Sequence, residues 1–129
     1  MKNGKRIAFF LLALIVLTGC GRETERAASY VNITAQEAKK LMETESDYIV
    51  LDVRTEEEYA QGHIPGAILI PDYEIGTKAE EILIDQDQMI LVYCRSGRRS
   101  KNAAQALLEL GYTDIREFGG IIDWPYEIE

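Results

Sequence analysis

Apolar runs and amphipathic stretches alternate along the chain from residue 34 to its end. Two of the apolar runs, 48–53 (YIVLDV) and 89–93 (MILVY), are short and apolar at nearly every position, which is typical of strands covered on both faces. Strands that alternate with helices favour an α/β fold, mainly a parallel sheet with helices on both faces. The predicted strands are 48–53, 67–70, 89–93 and 113–118, and the predicted helices follow Thr34 and Thr55 and span 73–84 and 101–110.

Short motifs predict where these elements begin and end. Residues 34–37 and 55–58 each have the Thr-x-x-Glu form of a capping box, which starts a helix. Gly111 is placed to end the last long helix. The Pro-Gly pair at 65–66 suits a type II turn, in which proline fixes φ and glycine accepts a positive φ. Gly119–Gly120 predicts a second tight turn, followed by one helical turn.

The first 19 residues have a different pattern. Three basic residues lie among the first six, and 7–17 is an unbroken run of 11 apolar residues. A membrane-spanning helix needs about 20 apolar residues, so this segment is interpreted as an export signal. Its ending, LTGC, resembles a bacterial lipobox. The resemblance implies cleavage before Cys20 and attachment of acyl chains such as palmitate to that cysteine.

This interpretation divides the chain into a lipoprotein signal peptide over 1–19, a lipidated tether over 20–30 and one domain over 31–129. More than one acyl chain holds a protein stably on a bilayer. We therefore expect an extracytoplasmic domain that is lipid-anchored to a bacterial membrane, at the cell membrane or its periplasmic face. An ordinary signal peptide with a cysteine near its end is the alternative.

The charge of the chain limits its partners. The full sequence has a formal net charge of −8, and the three basic residues of the leader are included in that figure, so the part that remains after cleavage has −11. Such an acidic surface disfavours nucleic acid as a partner. One local exception is basic: Arg95, Arg98, Arg99 and Lys101 lie within seven positions of one another.

That basic cluster belongs to the segment CRSGRRS at 94–100, which lies between a predicted strand and a predicted helix. A strand, a glycine-containing loop and a helix in this order aim backbone N–H groups at the loop, which favours an anion. A thiolate in this position has a lowered pKa, so we interpret Cys94 as a nucleophile. The other cysteine, Cys20, is assigned to lipid, which leaves Cys94 without a disulfide partner. The structural alternative is a small buried apolar residue at a strand end.

Five separated motifs extend this interpretation. LDVRTEEEY at 51–59, GHIPGAILIP at 62–71, LVYCRSGRRS at 91–100, ALLELGY at 106–112 and the GG…W of 119–124 stand in the order and spacing of single-domain rhodaneses. The sequence from about residue 31 to the end resembles that family. The resemblance implies a rhodanese-like fold and a thiosulfate sulfurtransferase activity in which Cys94 carries a persulfide.

The chemistry assigns roles to the loop. Thiosulfate has an electrophilic outer sulfur and a good leaving group, sulfite, so a thiolate can attack it without a general base. The backbone N–H groups of residues 95–99 are expected to hold the persulfide, and a cation from Arg95 or Arg98 to stabilise the departing sulfite. Arg99 has an alternative role, folding back to hold the loop. The candidate substrate-binding segment is therefore Arg95, Ser96, Gly97, Arg98, Arg99 and Ser100.

Three further residues are assigned supporting roles. Asp52 and Arg54 match the D-x-R element of the family, and a structural ion pair is favoured over a chemical role. His63, the one histidine of the chain, is expected to be hydrogen-bonded within its turn rather than to act as a base. One histidine and one unassigned cysteine provide no set of metal ligands, so neither a metal nor a cofactor is expected.

The expected partners are a small anionic sulfur donor such as thiosulfate and a thiol or cyanide acceptor, with the chain a monomer. Two other functions stay open. Cysteine phosphatases of similar fold place an arginine six residues after the nucleophile, whereas this chain has Ser100 there and its arginine at 99, and arsenate reduction lacks a resolving thiol. A non-catalytic persulfide carrier or binding module is the third possibility.

Overall fold

A five-stranded sheet, parallel between every pair of neighbours, forms the centre of residues 28–129, the part of the chain that this computed structural model describes. Its strand order is β1-β5-β4-β2-β3. The strands are β1 (Val31–Asn32), β2 (Tyr48–Asp52), β3 (Ile68–Leu69), β4 (Met89–Cys94) and β5 (Ile115–Gly120), and the helices are α1 (Ala35–Thr44), α2 (Glu56–Ala60), α3 (Ile75–Ile82) and α4 (Arg98–Glu109).

Alternating side chains of β4 divide the core between two faces of the sheet. Ile90, Val92 and Cys94 belong to the apolar cluster that contains the inward residues of α3 and α4. Leu91 and Tyr93 point the other way, into a cluster with α1 and the C-terminal segment. This period of two confirms a parallel sheet covered by helices on both faces.

Both predicted capping boxes are present. The Thr34 hydroxyl accepts a hydrogen bond from the N–H of Glu37 at 3.1 Å, and Glu37 accepts one from the N–H of Thr34 at 2.7 Å. The same reciprocal pair joins Thr55 and Glu58 at the start of α2. These side chains satisfy N–H groups that a helix start otherwise leaves unpaired. The capping signal therefore placed both helix starts correctly.

Most strand and helix ends lie within two residues of the predictions, but three differences bear on the loop and the sheet. Helix α4 begins at Arg98 and not at Lys101, because Gly97 adopts φ +107° and turns the chain into the helix only three residues after the strand ends. Gly119–Gly120 does not form a separate turn: both residues belong to the end of β5, where Gly120 lies opposite Cys94. Strand β1 was missed, because two exposed residues are too few to show a period.

The predicted leader and tether fall mainly outside this description. Residues 1–27, which include the export signal and Cys20, are not among the described residues. Within residues 28–129, none of the helices combines the length and apolar character that crossing a membrane requires. The signal peptide and the lipid anchor therefore stay predictions from the sequence.

Candidate active site

Cys94 is the last residue of β4, and its side chain is buried at the start of the loop that leads into α4. Its Sγ accepts a hydrogen bond from the N–H of Gly97 at 3.0 Å and lies 3.4 Å from Oγ of Ser100. Burial raises the pKa of this thiol, but hydrogen bonds from the Ser100 side chain and from backbone N–H groups of Ser100, Gly97 and Ser96 outweigh it. The pKa of Cys94 is therefore lower than that of an ordinary cysteine, as the sequence predicted.

Two glycines allow the loop to close on the sheet. Gly97 has φ +107°, a conformation that other residues resist, and it supplies the N–H that faces the sulfur. Gly120 lies opposite Cys94 on β5, and a Cβ there would overlap the backbone of Arg95 and Ser96. The sequence analysis missed the role of Gly120, because its contact with the loop depends on the register of β5 against β4.

Behind the sulfur lies a buried pair, Ser100 and Glu117. The Ser100 hydroxyl donates to Oε1 of Glu117 at 2.6 Å, and Oε1 also accepts from the N–H of Gly119 at 2.8 Å. Glu117 is 2% exposed, and within residues 28–129 it has no ion-pair partner. Sequence reasoning missed Glu117. Its position in the sequence could have indicated this role, because Glu117 is two residues after Ile115 in a strand and alternate residues point to the same face of the sheet, here the face that α4 covers.

Arg99 holds the loop in place through a neighbouring helix. Its Nη1 and Nη2 lie 2.7 and 2.9 Å from the two carboxylate oxygens of Glu58 on α2, which forms a bidentate ion pair. The Arg99 hydrogen bond lowers the pKa of Glu58 to about 2, and the same contact raises the pKa of Arg99. Of the two roles considered for Arg99, the geometry supports folding back to hold the loop.

Arg95 and Arg98 are exposed and differ from Arg99 in their contacts. Neither makes an ion pair or a side-chain hydrogen bond with any other part of residues 28–129. Arg95 lines a cleft of about 510 Å³ together with Arg54, Gly62 and Ile122. These two arginines are therefore available to an anion that approaches the loop.

Asp52 and Arg54 form the structural ion pair that the sequence analysis favoured. The guanidinium of Arg54 contacts both carboxylate oxygens of Asp52, with the shortest distance 2.7 Å, and also donates to the carbonyl of Gly62. The hydroxyl of Tyr93 donates to Asp52 at 2.6 Å and accepts from the N–H of Ile64. This network ties the end of β2 to β4 and to the turn at residues 62–66.

Comparison with known proteins tests the resemblance. Residues 34–125 match the model of the Rhodanese-like domain. The chain belongs to the rhodanese family. This rhodanese is 40% identical over 73 residues to thiosulfate sulfurtransferase PspE of Escherichia coli (strain K12), a match that covers 57% of this chain and 70% of PspE. A solved structure, a rhodanese with anions from E. coli, superimposes with a TM-score of 0.60 at 35% identity and covers 64% of this chain and 96% of that chain.

A third relative is longer than this rhodanese. The chain is 33% identical over 112 residues to YrkF of Bacillus subtilis (strain 168), whose name proposes a sulfur carrier protein. The match covers 86% of this chain but 60% of YrkF. The chain thus spans less than two thirds of the length of that relative.

His63 occupies the turn that the sequence predicted for it. Its ring stacks on Tyr59 with centroids 3.8 Å apart, and Nδ1 lies 3.0 Å from the carbonyl oxygen of Tyr59. Nε2 lies 3.4 Å from the carboxylate of Glu129. In this rhodanese the ring is therefore held by stacking on Tyr59 of α2 and by polar contacts with Tyr59 and Glu129, which lie outside the turn. No group of three or more His, Cys, Asp or Glu side chains in residues 28–129 is arranged to hold a metal ion.

Proposed function

We propose that this rhodanese is a sulfurtransferase that moves a sulfane sulfur from thiosulfate, or a similar anionic donor, to a thiol or cyanide through a persulfide on Cys94. The observation that carries the proposal is the position of Sγ. It lies at the end of a buried strand, in front of the Gly97 N–H at 3.0 Å and at the N-terminus of α4. This environment stabilises a negative charge on sulfur in both the free and the loaded enzyme.

Loading transfers one sulfur atom to the enzyme. The Cys94 thiolate attacks the outer sulfur of thiosulfate, and a bond forms between that sulfur and Sγ. The sulfur–sulfur bond of thiosulfate breaks, and its electron pair leaves with sulfite. Both the persulfide and sulfite are anions, so the charge stays balanced. Arg95 and Arg98, exposed beside the loop, stabilise the charge that develops on the departing sulfite.

Discharge returns the enzyme to its first state. Cyanide or a thiolate attacks the outer sulfur of the persulfide, and a bond forms between the acceptor and that sulfur. The bond from Sγ to the outer sulfur breaks, and its electron pair returns to Sγ as the thiolate. The same hydrogen bonds that hold the thiolate therefore assist its departure as a leaving group.

The geometry argues against phosphoryl transfer. A cysteine phosphatase uses an arginine six residues after the nucleophile to bind the transferred phosphoryl group. In this chain Ser100 fills the position six residues after Cys94, and its hydroxyl is directed to Glu117. Arg99, the nearest alternative, has both terminal nitrogens on Glu58. A persulfide carrier stays the second candidate, because the name of YrkF proposes that role for a relative and because a carrier loads the same cysteine.

Sulfur transfer is tested with the full chain carrying Cys20→Ser, so that Cys94 is the one thiol present. We expect thiosulfate to make the protein heavier by one sulfur atom in intact mass spectra, and cyanide to release thiocyanate over many turnovers. Both signals depend on the thiolate, so they should be absent in a matched Cys94→Ser variant.

The outcomes separate the candidates. Loading without turnover against cyanide or small thiols favours the carrier. Release of phosphate from an aryl phosphate that Cys94→Ser abolishes favours the phosphatase. The sulfurtransferase proposal is wrong if thiosulfate and other sulfane donors leave the mass of the folded protein unchanged.

A further inference from the structure

A single hydroxyl proton at Ser100 has two anionic acceptors within reach. Oγ of Ser100 lies 2.6 Å from Oε1 of Glu117 and 3.4 Å from Sγ of Cys94. It also lies 3.0 Å from the carbonyl of Gly97 and 3.4 Å from that of Gly119. A hydroxyl can donate only one hydrogen bond at a time. When Glu117 or a backbone carbonyl accepts the hydrogen bond from Ser100, the sulfur of Cys94 does not receive it.

The distances favour the carboxylate. A hydrogen bond of 2.6 Å from a hydroxyl to a carboxylate oxygen is in the range of strong, charge-assisted contacts, whereas 3.4 Å to sulfur is long. Glu117 is also fixed on its other side, because the N–H of Gly119 donates to the same oxygen at 2.8 Å. The carboxylate is therefore held in position to accept from Ser100.

We propose that Glu117 is a positioning residue that holds the Ser100 proton away from Cys94 and thereby keeps the sulfur basic. With its proton on Glu117, Ser100 presents a lone pair to the sulfur, which suits a thiol that donates and not a thiolate that accepts. The backbone N–H groups of Gly97, Ser96 and Ser100 are then left as the donors to the thiolate, and the Ser100 hydroxyl lowers the pKa of Cys94 less than it would without Glu117. Glu117 thus opposes the other influences of the loop, which favour ionisation of Cys94.

The consequence for sulfur transfer rests on the function proposed above. A thiolate attacks most effectively when its pKa is near the ambient pH, because its intrinsic nucleophilicity falls as its pKa falls. The same basicity makes Sγ a poorer leaving group when an acceptor attacks the persulfide. By keeping the sulfur basic, Glu117 therefore increases the intrinsic nucleophilicity of the thiolate and slows discharge, so that the sulfur stays on the enzyme until a good acceptor arrives.

The test compares the pKa of Cys94 in variants of the full chain carrying Cys20→Ser. Thiolate absorbance, or the rate of alkylation by iodoacetamide, is followed against pH. We expect Glu117→Gln to lower the pKa of Cys94 by about one unit, because a neutral amide oxygen competes less strongly than a carboxylate for the Ser100 proton and because a nearby negative charge is removed. The matched control, Glu109→Gln, removes an equal charge from the exposed end of α4 and should leave the pKa unchanged.

A double-mutant cycle separates the hydrogen bond from the charge. If Glu117 acts through Ser100, the shift caused by Glu117→Gln should fall to less than half when Ser100→Ala is also present. An equal shift in both backgrounds would mean a plain effect of charge and would overturn the proposal. The proposal would also be overturned if Glu117→Gln left the pKa of Cys94 unchanged, or raised it, in the chain that keeps Ser100.

A second variant keeps the charge and changes only the reach. Glu117→Asp retracts the carboxylate by one methylene, so the hydrogen bond to Ser100 is lost while the negative charge stays. We expect the pKa of Cys94 to fall in this variant too, by less than in Glu117→Gln. An unchanged pKa in folded Glu117→Asp counts against the proposal, and this variant decides the matter if Glu117→Gln fails to fold.

The other titratable groups on the elements packed around Cys94 are kept in every variant. Arg99 on α4 stays paired with Glu58 on α2, and Asp72, which follows β3, lies near Arg99. Tyr30, before β1, packs against the same apolar cluster as Cys94. The remaining groups are the exposed Arg95 and Arg98 of the loop and the buried Asp52–Arg54 pair with Tyr93.

A kinetic measurement extends the test to the persulfide. If the pKa of Cys94 falls by one unit, preloaded Glu117→Gln should lose its sulfur to cyanide about threefold faster than the parent chain. An equal or slower discharge contradicts the proposed effect on the leaving group. The titration of Cys94 does not depend on sulfur transfer. If the parent chain fails to load sulfur, the proposed function is rejected. The role of Glu117 is then decided by the titration alone.

Discussion

At the scale of single residues, the position of the loop around Cys94 depends on the absence of a side chain at Gly120. Gly120 lies in register with Cys94, and the chain of the loop passes directly over it. A methyl group there would overlap backbone atoms of Arg95 and Ser96, which cannot move aside as a flexible side chain can. The absence of a side chain at Gly120 is therefore a condition for the position of the N–H groups that face the sulfur.

Gly120→Ala is expected to displace the loop and to destabilise the protein by about 1–3 kcal/mol, the usual cost of overpacking. Thermal unfolding measures the stability, and alkylation of Cys94 at neutral pH reports the loss of the N–H donors as a slower reaction. Gly76→Ala is the matched control, because an added Cβ at Gly76 has nothing within 4 Å and lies in α3. Normal alkylation in Gly120→Ala would show that the loop does not need this close approach.

The residues that could be predicted from sequence differ physically from those that could not. Cys94 was identified because the strand, the glycine loop and the helix are continuous in the chain. Gly120 and Glu117 act across strands, and their roles depend on the register of β5 against β4. A register is fixed by packing of the whole sheet, which a local pattern does not contain.

At the scale of elements, an ion pair joins α2 to the start of α4. Arg99 and Glu58 are each partly buried and bind through two parallel hydrogen bonds, which is stronger than a single exposed contact. The sequence predicted both helices but not their contact. Helix α2 was anticipated from its capping box, and the carboxylate of that same box, Glu58, is the partner of Arg99.

The pair predicts a stability that depends on pH. The pKa of Glu58 falls from 4.5 to about 2 on folding, so its contribution is present above about pH 4.5 and is lost as the pH falls towards 2. Glu58→Gln should therefore lower the free energy of unfolding at pH 7 by about 1 kcal/mol, and the difference from the parent chain should shrink as the pH falls from 4.5 to 2.

Thermal or urea unfolding at several pH values measures this difference. Glu57→Gln is the control, since Glu57 is exposed on the same helix and makes no ion pair within residues 28–129. It should show little change at any of these pH values. A difference between Glu58→Gln and the parent chain that stayed constant down to pH 2 would exclude ionisation of Glu58 as its cause.

At the scale of the whole molecule, the net charge disfavours contact with an anionic membrane, whereas the leader sequence predicts attachment to one. The chain after residue 19 has a formal net charge of −11, since the leader holds three of the 14 Lys and Arg residues. Such a domain is repelled by anionic lipid. Within residues 28–129, no helix is long and apolar enough to cross a membrane. We therefore propose that attachment to a membrane depends on acyl chains at Cys20 and not on the surface of the domain.

This proposal predicts that the full chain, produced in a bacterial host with labelled palmitate, carries the label and sediments with membranes. High salt should not release it, because acyl chains bind by burial of apolar surface and not by charge. Cys20→Ser should abolish labelling, whereas Cys94→Ser should keep both the label and the membrane fraction, since the lipobox-like motif LTGC ends at Cys20 and Cys94 lies far from it in the chain. If the parent chain takes up no label, or loses its membrane association in high salt, the leader is an ordinary export signal or the contact is electrostatic, and the lipid anchor is excluded.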